Sequence, residues 1–274
     1  MPGRDSSDNG DPGTFAVVLK AEREHAGYTQ REFSDLLGYA EATITAFETG
    51  RRLPTAAGAE RIDKLLGRKL FVPLRAQVVR GAYEVWIQPW LPDEESASVL
   101  RVWEPQIVYG LLQTEGYADA LIRIHRPVFS GAQVAEEVAA RIQRQEILDR
   151  EEPPPPLLRV VLGEAVLRRD VGGREVMRGQ LDHLLGMGDR PRITLQIVTA
   201  AKDEQAGLFG AMTIAGFGGA SDTAYLDTVM AGGYISDGEQ ITQLNVLYDR
   251  VLQEASSPEE SRKLIMEVRD ELWT

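Results

Sequence analysis

Cysteine is absent from the 274 residues, so no disulfide and no thiolate metal site is open to this chain. No apolar run approaches the roughly 20 residues that span a bilayer, and the opening stretch MPGRDSSDNGDPG lacks the apolar core of a signal peptide. A cytoplasmic protein with no membrane partner is the expectation. The three histidines, His25, His125 and His183, stand apart from any Cys, Asp or Glu spacing that would hold a metal. No G-x-S-x-G, phosphate loop or dinucleotide fingerprint occurs, and Gly216-Phe217-Gly218-Gly219 reads as a turn between strands. Neither a cofactor nor catalysis is therefore expected. Positive charge is also scarce, since 30 Lys and Arg against 42 Asp and Glu leave a formal charge of −12. This argues against broad nonspecific affinity for nucleic acid, because Lys and Arg supply most of that attraction.

What the chain does contain begins with residues 29–54, TQREFSDLLGYAEATITAFETGRRLP. Thr29 followed by Glu32 has the spacing of a capping box, which starts a helix at a defined place. Phe33, Leu36 and Leu37 give that helix an apolar face, and Gly38 supplies a residue that tolerates positive φ. Ile44 and Phe47 then form the inward stripe of a second short helix, while Glu41, Ala42, Thr43, Thr45 and Ala46 point elsewhere. Helices this short need neighbours. Phe15, Val18 and Leu19 before them, and Ile62, Leu65 and Leu66 after, complete an expected bundle of four. Gly27, Gly38, Gly50 and Gly67 each fall where a helical run stops.

The ordered set Thr29-Gln30, Gly38, Glu48-Thr49-Gly50, Arg51-Arg52 and Pro54 resembles the lambda-repressor-like, XRE-type family of helix-turn-helix regulators over residues 14–67. The resemblance implies contact with double-stranded DNA through Gln30, Arg31, Glu41, Ala42, Thr43, Thr45, Arg51 and Arg52. Departures from the family pattern limit what this helix reads. Ala40 sits where a capping Ser or Thr is usual, and no Arg or Lys lies between Gly38 and Gly50. Guanine readout by a bidentate Arg is thus excluded from this helix, leaving thymine-methyl contacts or DNA shape. Even residues 1–66 are net negative, and Glu48 reads as structural rather than as a base reader.

At 274 residues the chain is too long for one small bundle. Residues 1–13 read as a disordered tail and 68–98 as a connecting or dimerising segment. Within that segment Leu70, Phe71, Leu74, Val78 and Val79 predict a helix reaching about Val85, and Asp93 to Ala97 a brief one. Residues 99–274 read as a mixed α/β domain. Val99–Trp103, Leu157–Leu162 and Ile193–Ile197 are expected strands, the last two flanking a helix over Val176–Leu185 as a parallel pair with a crossover. Leu208–Phe217 and Thr223–Met230 are two more strands, with a turn at Gly232-Gly233. Thr114 caps one helix, Val134, Val138 and Ile142 mark another, and Pro153–Pro156 form a stiff spacer. Asp237 with Gln240, and Ser257-Pro258 with Glu260, open two terminal helices. The fold class is α+β: an all-α helix-turn-helix bundle, then an α/β domain with a small sheet and C-terminal helices.

The runs Glu104-Pro105, Gly110-Leu111-Leu112-Gln113-Thr114, Tyr117-Ala118, Arg141 with Arg144-Gln145, Glu164 with Leu167-Arg168, and Ile193-Thr194-Leu195-Gln196 look like the C-terminal domain of many actinomycete XRE-type regulators, over residues 70–272. That domain has no assigned chemistry. Its frequent neighbour is a very small protein, which has led to an antitoxin-like label, so the resemblance implies sensing or partner binding. From the residues, Arg141, Arg144 and Gln145 share one helical face, and Glu164 ends an apolar strand with Arg168 one turn on. They suit an anionic ligand or a partner's acidic strip, or else an internal ion-pair network. Trp86, Trp90, Trp103, Tyr109 and Tyr117 concentrate aromatic surface, as core or as a ligand pocket in which Trp103 and Tyr109 take part.

The leading expectation is a DNA-binding regulator acting as a homodimer, whose second domain dimerises and receives a small ligand or small protein. An antitoxin-like module holding a small partner is the alternative. An enzyme using Glu164 or Asp227 as acid or base has the least support, since no nucleophile accompanies them.

Overall fold

A computed structural model describes residues 12–81, 87–201, 210–227 and 232–274. The chain divides into two compact units, residues 1–85 and 86–274.

Among the described residues the first unit holds five helices: α1 (Pro12–His25), α2 (Gln30–Leu37), α3 (Glu41–Glu48), α4 (Ala56–Leu66) and α5 (Phe71–Gly81). The Thr29 capping box forms as expected, with the Thr29 side chain accepting from the Glu32 N–H and the Glu32 carboxylate accepting from the Thr29 N–H. Thr55 caps α4 by accepting from the Gly58 N–H. Gly38 closes α2 at φ 71°, where a Cβ would be strained, and this permits the tight entry into α3. The core gathers Phe15, Leu19, Phe33, Leu37, Ile44, Phe47, Leu53, Ala59, Ile62, Phe71 and Val78.

Two expectations are corrected in this unit. Leu36 is 57% exposed and Ser34 is buried in its stead, because a helix of eight residues turns only Phe33 and Leu37 squarely inward. The helix after residue 67 is also part of the bundle and does not merely lead out of it. Phe71 is fully buried with its ring edge-on to Phe15, centroids 5.6 Å apart. The Asp63 carboxylate on α4 accepts from the N–H groups of Leu70, Phe71 and Val72 at 2.8, 2.9 and 3.0 Å, supplying the first turn of α5 with partners. The compact unit accordingly runs to residue 85, and the expected extension of α5 past Gly81 lies outside the described residues.

The second unit is a six-stranded sheet in the order β3-β2-β1-β4-β5-β6. Strands β1 (Val99–Glu104), β2 (Leu157–Gly163) and β3 (Ile193–Val198) are parallel, and β4 (Met212–Gly216), β5 (Thr223–Leu226) and β6 (Gly233–Ile235) continue the sheet antiparallel from β1. Helices α6 (Leu91–Ser96), α7 (Glu115–His125), α8 (Gly131–Arg144), α9 (Glu164–Arg168), α10 (Arg174–Gly188), α11 (Gly238–Glu254) and α12 (Pro258–Leu272) surround it. Alternation along β1 sorts the two faces. Leu100 and Val102 join a core with residues of α7, α9, α10 and α12, whereas Trp103 joins Met212, Ile214, Ile241, Tyr248 and Val251 beneath α11. The expected turn at Gly232-Gly233 is corrected, since Gly233 begins β6, whose Tyr234 pairs with Tyr225. A three-residue strand opened by glycine carries no alternation to read. The expected strand ends at Leu208 and Met230, and Trp86, lie outside the described residues.

Candidate nucleic-acid interface

Helix α3 presents Glu41 and Ala42 to solvent, keeps Thr43, Thr45 and Ala46 half-buried, and turns Ile44 and Phe47 into the core. Tyr39 packs edge-on to Phe47 at 5.5 Å, and Arg61 covers Tyr39, donating to its hydroxyl at 2.7 Å. Ala40 occupies the N-cap without a side-chain bond, which leaves the first-turn N–H groups of α3 uncapped by any side chain.

A buried polar latch sets the angle between α2 and α3. The Glu48 side chain is 2% exposed and pairs with Arg23 of α1, itself 7% exposed. Arg23 Nε meets Glu48 Oε1 and Nη2 donates to Oε2 at 3.0 Å, while Nη1 donates to the Tyr28 carbonyl at 2.7 Å. Gln30 Nε2 donates to Glu48 Oε2 at 2.7 Å, and Thr45 Oγ1 donates to Gln30 Oε1 at 3.3 Å. The hydrogen bond to Glu48 holds the Arg23 guanidinium above its ordinary pKa against the opposing effect of burial. Glu48 is thus structural, and Gln30 joins the first turn of α2 to the middle of α3.

Around this frame Arg31, Arg51 and Arg52 are exposed, with Arg51 Nε donating to Thr49 Oγ1 at 3.0 Å. The eight residues singled out for DNA contact therefore lie within one motif: Gln30 and Arg31 start α2, Glu41, Ala42, Thr43 and Thr45 line α3, and Arg51 and Arg52 follow it.

The residues singled out in the second unit are engaged internally. Arg141 Nη1 donates to Gln113 Oε1 at 3.0 Å, and Gln145 Nε2 donates to the carbonyls of Gly110 and Gln113 at 2.9 and 2.8 Å. Arg144 pairs with Glu94 at 2.7 Å, and the 1% exposed Glu94 also accepts from the Tyr109 hydroxyl at 2.6 Å and from Trp90 Nε1 at 3.3 Å. These bonds fasten the end of α8 to α6 and to the turn at Gly110–Leu112. Burial, followed by the Glu94 charge, pushes the Tyr109 phenol well above its ordinary pKa. Glu164 is separately occupied by Arg168 at 2.7 Å and by the Ala200 N–H at 2.8 Å. Burial alone would raise its pKa, but those two partners outweigh burial and hold it low.

Trp103 and Tyr109 belong to cores on opposite faces of the sheet and do not line a common pocket. Tyr109→Phe is expected to remove about 1.5–3 kcal/mol, the worth of a hydrogen bond to a charged acceptor. Urea unfolding followed by tryptophan fluorescence measures it, and an unchanged midpoint would refute the role given to that hydroxyl.

Buried polar residues to which sequence reasoning gave no structural role include Glu94, Gln180 and Glu104. Gln180 is fully buried, accepting from the Thr114 N–H at 2.7 Å and donating to the Leu112 carbonyl at 2.7 Å. Glu104, the last residue of β1, is 7% exposed. The signal was a lone charged or amide residue among apolar neighbours, which periodicity treats as an exception.

Among the described residues no helix is long and apolar enough to cross a membrane. A family model described as a helix-turn-helix domain matches residues 14–70, and one described as a domain of unknown function, DUF5753, matches residues 91–267. No curated protein and no solved structure matches the chain.

Proposed function

The chain belongs to the DUF5753 family and carries a helix-turn-helix domain ahead of it, and from that premise we propose that it is a transcriptional regulator binding double-stranded DNA as a homodimer. Its sheet unit pairs two copies and receives a small ligand or a small protein. The observation that carries the DNA reading is α3 itself, latched to α2 through Gln30, Thr45 and Glu48 and bracketed by exposed Arg31, Arg51 and Arg52. A recognition helix fixed before binding loses little freedom on docking. The arginines supply the phosphate contacts that α3 lacks, and the uncapped first turn of α3 offers further N–H groups to a phosphate. Pairing two heads compensates for a half-site with few contacts.

The experiment is a gel-shift with genomic fragments on the wild type and on the double variant Arg51→Ala, Arg52→Ala. The specific complex is expected to be lost at moderate salt. At low salt the dependence of log K on log salt should flatten by roughly 3 to 4, at about 0.9 for each phosphate contact over four arginines in a dimer. Unchanged affinity and slope would sink the docking model.

A second reading is favoured by the acidity of the chain and by Glu41 on the exposed face of α3. It is an antitoxin-like module that holds a small protein partner, and its mark is a small polypeptide co-purifying from native cells. Neither reading involves catalysis.

A further inference from the structure

Parallel strands are ordinarily buried on both faces of their sheet. Strand β2 departs from this. It lies between parallel β1 and β3, and one of its faces is packed, with Leu158, Val160 and Leu162 in the core shared with α10 and α12. On the other face α11 covers only the later rows, where Trp103, Val161 and Met212 meet Ile241, Tyr248 and Val251. The earlier rows are bare. Leu157 is 38% exposed, Arg159 and Thr194 are exposed, and Val99 and Arg101 are half-buried.

Positive charge collects on this half-face of a chain whose formal charge is −12. The register sets Arg101 beside Arg159, one strand spacing of about 4.8 Å away, an arrangement that is unfavourable for like charges. Arg192 precedes β3 by one residue, beside Leu157 in the continued register, and its Nε donates to the Pro155 carbonyl at 2.7 Å. Arg101 leans over Gly216, where a Cβ would come within 3.5 Å of its Nη1, and pairs with Asp222 at 3.3 Å. Arg159 has no such partner. Among the described residues neither a hydrogen bond nor an ion pair reaches its guanidinium, and Arg192 is held by a carbonyl rather than a carboxylate. Burial pushes the Tyr248 phenol up to about 12 against the opposing charges of Arg159 and Arg101, which places both at the border of α11. Asp249 of α11 acts on the same phenol, yet among the described residues it makes no ion pair with either arginine. Edge strands carry charges to discourage pairing, but β2 is an interior strand, so that reason does not apply to Arg159.

We propose that this bare half-face seats an acidic segment of a small partner protein, its carboxylates meeting Arg159 and Arg192 and an apolar side chain covering Leu157. The seat rests on the reading that the sheet unit receives a small protein, and gives that reading a place and a chemistry. A second copy docked by the same face is the poorer occupant, because an isologous contact sets arginine against arginine. A nucleic-acid backbone satisfies the arginines but leaves Leu157 and Val99 without apolar cover.

The probe is a fluorescein-labelled peptide of Asp and Glu interrupted by Leu, titrated with the full-length chain and followed by anisotropy. Its control carries Asn and Gln in place of the acids. Saturable binding is expected for the acidic peptide alone, weakening as salt is added. Arg159→Glu should bind it roughly tenfold more weakly or worse, as like charges brought together do, without lowering the urea midpoint, since that guanidinium braces nothing in the fold. Should Arg159→Glu not fold, Arg159→Ala decides by the same comparison. No saturable binding, equal binding of the control, or undiminished affinity in the variant overturns the seat. So does a changed oligomeric state of Arg159→Glu, which gives the face to a second copy, or loss of its gel-shift complex, which gives it to DNA. A small polypeptide co-purifying from native cells with both the wild type and Arg159→Glu upholds the partner reading while overturning this seat; none with the wild type overturns the reading itself.

Discussion

Glu48→Gln is expected to lower the stability of the helical unit by about 3–5 kcal/mol, the usual result of removing one member of a buried ion pair. The substitution keeps the volume of the side chain and removes only its charge, leaving the 7% exposed Arg23 guanidinium without its buried counter-charge and with only the exposed Glu24 carboxylate, 3.4 Å away. It also weakens the acceptor for Gln30, so α3 loses its brace against α2. For a domain whose whole margin is of the order of 5–15 kcal/mol, this brings the unit close to unfolding. The two units are separable optically, because the four tryptophans lie at residues 86, 90, 103 and 273, all in the second unit. Far-UV circular dichroism during urea unfolding should show an early helical transition in the variant, while the tryptophan midpoint stays in place. An unshifted dichroism curve would show the pair to be dispensable.

Phe71→Ala is the second large effect, also about 3–5 kcal/mol, from lost burial and the cavity left against Phe15. The same two probes report it. A change below about 0.5 kcal/mol, as surface substitutions give, would return α5 to the connecting role that its position in the chain suggests.

What could be read from the residues alone is what is decided within a turn or two of chain. The boxes at Thr29 with Glu32 and at Ser257 with Glu260, and the cap of Asp237 on Gln240, all form, because donor and acceptor are three residues apart. The α+β class, the parallel β2–α10–β3 crossover and the presence of two further strands follow from alternation and glycine placement in the same way, whereas the antiparallel direction of those strands comes from the structure. The attachment of α5 was not legible, because it depends on Asp63 and Phe15 arriving from other helices. Arg141, Arg144 and Gln145 do share a helical face, as spacing predicts. Their partners at Glu94, Gly110 and Gln113 come from distant chain, so spacing left open whether the face was a docking surface or a fastening. At α3 the missing side-chain cap was visible in Ala40, whereas the tie from Gln30 to Thr45 and Glu48 appears only once α2 and α3 meet.

The outer side of β3 has a consequence for assembly. An edge strand with unpaired N–H and C=O groups invites another strand to add to it. Here the Ile197 carbonyl accepts from the Ser256 N–H at 2.8 Å, the Ile197 N–H donates to Ser261 Oγ at 2.9 Å, and Gln196 Nε2 donates to the Ser256 carbonyl at 2.8 Å. The corner between α11 and α12 thus occupies the C-terminal half of that edge, protecting the chain from open-ended stacking into fibrils there. Sheet-to-sheet growth is left with the opposite margin, where β6 is only three residues long and begins at a glycine, too short to template a stable ribbon.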